Sequence, residues 1–143
     1  MKLITAKMLL RYAKQYMDLT GLRIVQDDSW YYMTDYKAIA VMKEADDEER
    51  EFNKQFVEYI KDKFDFDLPL KYISIFSLFH ELGHFVNGWI CEPEEYHLLV
   101  DEAEDFYEYR AIPDEREADL FAYQFISEHY DKLIEIYTKE ETI

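Results

Sequence analysis

Residues 70–87 read Leu-Lys-Tyr-Ile-Ser-Ile-Phe-Ser-Leu-Phe-His-Glu-Leu-Gly-His-Phe-Val-Asn, apolar on almost every side. A helix of that kind must be buried. Pro69 suits its first turn, where a missing N–H costs nothing, and Gly88 suits its stop. Its polar residues are not scattered. Ser74, Ser77, His80, Glu81, His84 and Asn87 recur at spacings of three and four, so they form one line down the helix. A buried polar line needs water, partners or a metal. The fold must therefore surround this helix and also satisfy its line.

Within the line, His80-Glu81-Leu82-Gly83-His84 places two histidines one turn apart on one face. Both imidazoles can then reach a single metal ion, at about 2.0–2.1 Å for zinc. Glu81 sits about 100° round the helix from His80, beside such an ion, where it can act as a base toward a water. The competing explanations are a chance match and a line that merely faces solvent. The chain has four histidines, and two of them fall at this spacing.

Zinc needs at least one more protein ligand. A third histidine on the same segment would need Gly at position 87 and His at position 90, which are Asn87 and Ile90. The other common solution is a glutamate from a second helix. Downstream of His84 the one Glu-x-x-x-Asp is Glu115-Arg116-Glu117-Ala118-Asp119. It follows Pro113 and Asp114, with Ala118, Ala122, Phe125 and Ile126 on one side of the expected helix. The small Ala118 and Ala122 allow close helix approach, so Glu115 can span to the metal. Asp119, one turn on, can accept the free N–H of a ligating histidine and fix its orientation.

The HELGH segment, followed 31 residues after His84 by Glu-Arg-Glu-Ala-Asp-Leu-Phe-Ala, resembles the ImmA/IrrE family of small bacterial and phage metallopeptidases. Position 119 holds Asp where that family often has Asn. The resemblance covers residues 70–126 by motif and residues 1–45 by element order. It implies zinc held by His80, His84 and Glu115, with Glu81 as the base. It also implies an α+β, minimal zincin-like fold, in which a small antiparallel sheet packs on the HExxH helix and on a C-terminal helix bearing the glutamate ligand.

The remaining elements fit one domain over residues 1–143. Residues 5–18 form an amphipathic helix, and residues 22–25, 30–34 and 37–42 read as strands, the last two joined by a turn at Asp35-Tyr36. Residues 46–63 form a charged helix with Phe52, Phe56, Tyr59 and Ile60 inward. Residues 91–113 read as a long acidic connection, and the last helix runs to about Tyr137. No segment reads as transmembrane or as a signal peptide. The single Cys91 excludes an internal disulfide and fits a reducing cytoplasm. His129 lies fourteen residues past Glu115, about 21 Å along a helix, so it cannot share the ion. In the acidic connection His97, Tyr96, Tyr107 and Tyr109 are candidates to stabilise a developing oxyanion. A surface role is the alternative for His97.

The net charge is −16, with twelve Asp or Glu against two Arg over residues 91–119. That density disfavours direct nucleic-acid binding and favours a basic protein or peptide partner. The expectation is a zinc-dependent endopeptidase in the cytoplasm. The family resemblance points to a basic DNA-binding regulator as substrate. The rival is a non-catalytic acidic interaction protein that mimics DNA charge or inhibits a host factor, with a vestigial or structural metal site. A purely structural zinc would call for four protein ligands and leave Glu81 without a purpose.

Overall fold

The computed structural model describes residues 1–142. The chain is α+β, with six helices and one three-stranded sheet among those residues. Helix α1 (Leu3–Ala13) leads into β1 (Arg23–Asp27), β2 (Tyr31–Met33) and β3 (Ala38–Met42). Helix α1 is shorter than the pattern suggests. It gives way to turns, yet Tyr16 still packs beside Tyr12, their ring centroids 5.5 Å apart.

β3 is the central strand, in the order β1-β3-β2. It pairs antiparallel with β2, through a turn that uses Lys37 at φ 48°, and parallel with β1, Arg23 lying opposite Ala38. The sheet is thus mixed, where an antiparallel one was expected. β2 occupies one edge, and the chain returns from it through the middle of the sheet as β3. Every residue of β3 is buried. Its Ala-Ile-Ala-Val-Met run is apolar without alternation, as a strand covered on both faces requires.

Helix α2 (Asp47–Phe64) starts at Asp46, whose carboxylate accepts the Glu49 N–H at 2.8 Å, and ends at Asp65 in the left-handed region. Acids crowd its first turn and lysines its last, matching the helix dipole. A 3-10 turn (Leu70–Tyr72) then introduces α3 (Ile73–Asn87). The connection from 91 to 113 is not extended. It contains α4 (Pro93–Glu102) and α5 (Phe106–Arg110). The local signals are ordinary: Pro93 at the first helical position of α4, and Asp105 accepting the Glu108 N–H at 2.8 Å to cap α5.

Helix α6 (Pro113–Glu141) is the longest element, with a kink at His129. The His129 ring sits 4.4 Å from the rings of both Phe125 and Tyr16, and its Nδ1 lies 2.9 Å from the Tyr12 hydroxyl. It belongs to the packing of α1 on α6. The core runs between the sheet and helices α1, α2, α3 and α6, with Leu9, Ile39, Phe76, Phe79, Leu82 and Ile126 wholly or almost wholly enclosed. No helix among the described residues is long and apolar enough to cross a membrane.

Helices α3 and α6 make the closest approach. A Cβ on Gly83 would lie 2.9 Å from the Ala118 Cα, so the two backbones meet where neither side chain is large. His80 and His84 flank Gly83, and Glu115 and Asp119 flank Ala118. The close contact thus faces the two polar motifs toward each other.

Candidate metal centre

Four side chains converge at that contact. His80 Nε2 and His84 Nε2 are 3.1 Å apart, with their rings nearly perpendicular. Glu115 reaches in from α6, with Oε1 3.4 Å from His80 Nε2 and Oε2 2.8 Å from His84 Nε2. Glu81 Oε1 stands 4.0 Å from His80 Nε2. The ligand atoms of His80, Glu81 and His84 all lie within 4.8 Å of one another, close enough to hold one ion. His80, Glu81 and Glu115 are buried, and His84 is partly so.

The donor set fits zinc. Ligand atoms around a tetrahedral zinc lie roughly 3.3 Å from one another. The 3.1, 3.4 and 2.8 Å separations bracket that value. Glu115 Oε2 is moreover the buried side-chain polar atom without a hydrogen-bond partner among the described residues. It is near His84 but not aligned with it. A buried carboxylate oxygen without a hydrogen-bond partner, beside two imidazole nitrogens within 3.1 Å of each other, suits a shared cation, which needs lone pairs from all three. Glu115 stands closer to His80 Nε2 than Glu81 does, at 3.4 Å against 4.0 Å.

Behind the cluster, His80 Nδ1 donates to Asp119 Oδ1 at 2.7 Å. That bond commits Nδ1 and leaves Nε2 facing Glu115 and His84. Asp119 is fully enclosed. Arg110, from the end of α5, answers its charge with a fork: Nε donates to Oδ2 at 2.9 Å and Nη2 to Oδ1. The guanidinium lies 4.4 Å over the Phe56 ring and is itself buried. The sequence pattern does not single out Arg110. Its one distinguishing mark is to be, with Arg116, one of two cations in a long acidic stretch.

The electrostatics follow from burial and these contacts. Burial alone would raise the Glu115 and Asp119 carboxyls, yet both are held below the usual carboxylate range, Glu115 by His80 and His84, and Asp119 by His80 and Arg110. Burial and Arg110 oppose a proton on His80, but Asp119 and Glu115 outweigh them and raise it to about 10. The cluster thus attracts positive charge. Glu81 differs. Burial raises its carboxyl above the ordinary value, and the neighbouring His80 and His84 only partly offset this.

A cleft of about 250 Å³ opens on this centre, walled by Trp30, Tyr32, Phe85, Trp89, Tyr96 and Tyr109. Burial and then the Glu115 charge push the Tyr96 phenol up to about 12, and the same causes push Tyr109 higher. Both hydroxyls keep their protons at neutral pH. His97, next to Tyr96 on α4, is exposed and does not line this cleft; Tyr107 is likewise exposed. The structure thus brings together His80, Glu81, His84, Glu115 and Asp119, adds Tyr96 and Tyr109 at the wall, and leaves His97 and Tyr107 outside. Asp114, unassigned from sequence, accepts the Ile90 and Cys91 N–H groups at 2.9 and 3.0 Å, tying the chain after α3 to the start of α6.

No protein-family model, curated protein or solved structure matches this chain.

Proposed function

We propose that this chain is a zinc-dependent endopeptidase of the ImmA/IrrE type, acting in a reducing cytoplasm on a basic protein. One observation carries the reading: the convergence of His80, His84 and Glu115 ligand atoms, with the separate, buried Glu81 carboxylate beside them. Those three residues would hold zinc, which when bound would supply Lewis acidity toward a scissile carbonyl and a water. Glu81 takes a proton from the attacking water and returns it to the leaving amine. Asp119, locked by Arg110, holds the His80 ring in its liganding tautomer. Tyr96 and Tyr109, protonated and facing the same cleft, donate hydrogen bonds to negative charge developing on the carbonyl oxygen.

Replacing Glu81 by Gln tests this directly. Zinc content, read by elemental analysis, should remain near one per chain. Cleavage of a basic protein substrate should fall by about 10²–10⁴-fold, the usual contribution of a positioned base. A variant of undiminished activity would refute the role of Glu81, and a wild type that takes up no zinc would refute the centre. The net charge of −16 supports a second reading, an acidic interaction protein. It predicts tight binding of a basic protein without cleavage by either form.

A further inference from the structure

A second pocket of about 260 Å³ lies against the same centre, with His80, Glu81 and Trp30 in its lining. Its chemistry differs from that of the aromatic cleft. Glu49, Phe52, Phe56, Ser29 and Ser77 contribute to its wall, and Arg110 closes part of it. The position of Glu49 is informative. Asp46-Asp47-Glu48-Glu49 has the capping-box spacing, in which the last carboxylate reaches back to the first N–H. Only the forward half forms, Asp46 accepting from the Glu49 N–H. Among the described residues the Glu49 carboxylate has no hydrogen bond or ion pair, and it lines the pocket instead.

Charge in this pocket is unbalanced. Arg110 is spent on both oxygens of Asp119. His80 is engaged by Asp119 and Glu115. Glu81 faces the metal centre, 4.0 Å from His80 Nε2, so among the described residues Glu49 is the carboxylate of this pocket that no cation answers. Partial burial, with Asp46 and Glu48 nearby, already makes the Glu49 charge costly and raises its carboxyl. A cation brought in from outside would relieve that cost. The half-buried Phe52 ring, 5.6 Å from Phe56, offers an apolar wall for an aliphatic stem.

We propose that this pocket is a subsite for a cationic side chain, Lys or Arg, of a peptide substrate lying across the centre, with Glu49 as the residue that selects it. The proposal rests on the endopeptidase reading and deepens it. A basic residue would sit on the Glu49 side of the scissile bond, and the aromatic cleft would take the chain on the other side.

The test separates binding from cleavage. Acetylated, amidated octapeptides of Ser and Ala carrying a central Phe-Lys or Lys-Phe pair are compared with the same peptides bearing norleucine for Lys. Binding is measured by calorimetry on the zinc-loaded Glu81→Gln protein, with and without Glu49→Gln or Glu49→Lys, and folding is checked by circular dichroism. At least one Lys peptide should bind about tenfold or more tighter than its norleucine partner, the fold-change a charge-assisted hydrogen bond supplies. Glu49→Gln should bring that ratio near one, and Glu49→Lys should invert it in favour of norleucine. Equal binding of both peptides, no binding of either, or a preference that survives Glu49→Gln would overturn the subsite. Cleavage of the preferred peptide by the wild type is read separately by mass spectrometry. A Lys preference that depends on Glu49, without cleavage, would keep the subsite and remove the peptidase reading.

Discussion

Arg110 shows how much of the centre depends on one residue that touches no proposed ligand atom of the metal. Its guanidinium meets both oxygens of Asp119, and Asp119 in turn orients His80. Lysine keeps the charge but cannot make the planar fork. Arg110→Lys should therefore weaken zinc binding by about 10–100-fold, the usual effect of disturbing a ligand's hydrogen-bond partner. Arg110→Met should do more, because it leaves Asp119 a buried, half-answered carboxylate. A loss of about 3–5 kcal/mol in denaturant unfolding is expected when one partner of a buried pair is removed. Zinc competition with a chromogenic chelator reads the first effect. An Arg110→Lys protein with wild-type affinity would show that Asp119 holds His80 unaided.

At the scale of elements, the approach of α3 to α6 sets the ligand separations. Gly83 has helical backbone, so its lack of a side chain matters for space rather than for conformation. Alanine there should gain about 1 kcal/mol in helix propensity. Its Cβ, however, would meet the Ala118 Cα at 2.9 Å and carbonyl oxygen at 3.1 Å, backbone that cannot swing aside. Overpacking of this kind costs about 1–3 kcal/mol, and the helices can only part. Gly83→Ala should lower the melting temperature and zinc affinity together. Ala118→Gly should not rescue it, since the clash is with backbone. A variant that melts higher while binding zinc normally would contradict the tight contact.

At the scale of the molecule, the acidic stretch acquires a place. Tyr96 of α4 lines the cleft, and the exposed acids of α4 and the turn after it belong to the same segment. Asp105 is not free for a charge test, because it caps α5. Asp101, Glu102 and Glu104 are exposed, and among the described residues no hydrogen bond or ion pair engages their carboxylates. Neutralising these three should slow capture of a basic protein and flatten its dependence on salt, since steering acts within a Debye length of about 10 Å. Hydrolysis of a short neutral peptide should hardly change. Stopped-flow association and peptide assays give the two rates. If both fall alike, the segment supports the fold and does not steer.

The sequence by itself determined the parts whose cause is local. Helical periodicity aligned His80 with His84 and Glu115 with Asp119, and the apolar run from Ile73 announced a buried helix. The α+β class and the strand positions were legible for the same reason, since turns and runs of β-branched residues act over a few positions. The two helices within residues 91–113 carried local signals too, Pro93 and Asp105, but their acidic composition masked them. Only the tertiary structure decided what depends on distant segments meeting. It paired β1 parallel to β3, because strand order is settled by packing on the helices and not by strand composition. It set Arg110 on Asp119, turned Tyr96 and Tyr109 into the cleft while leaving His97 outside, and aimed Glu49 at a pocket instead of its own helix cap. In each case the deciding quantity is a separation between residues far apart in the chain, and no spacing along the chain encodes it.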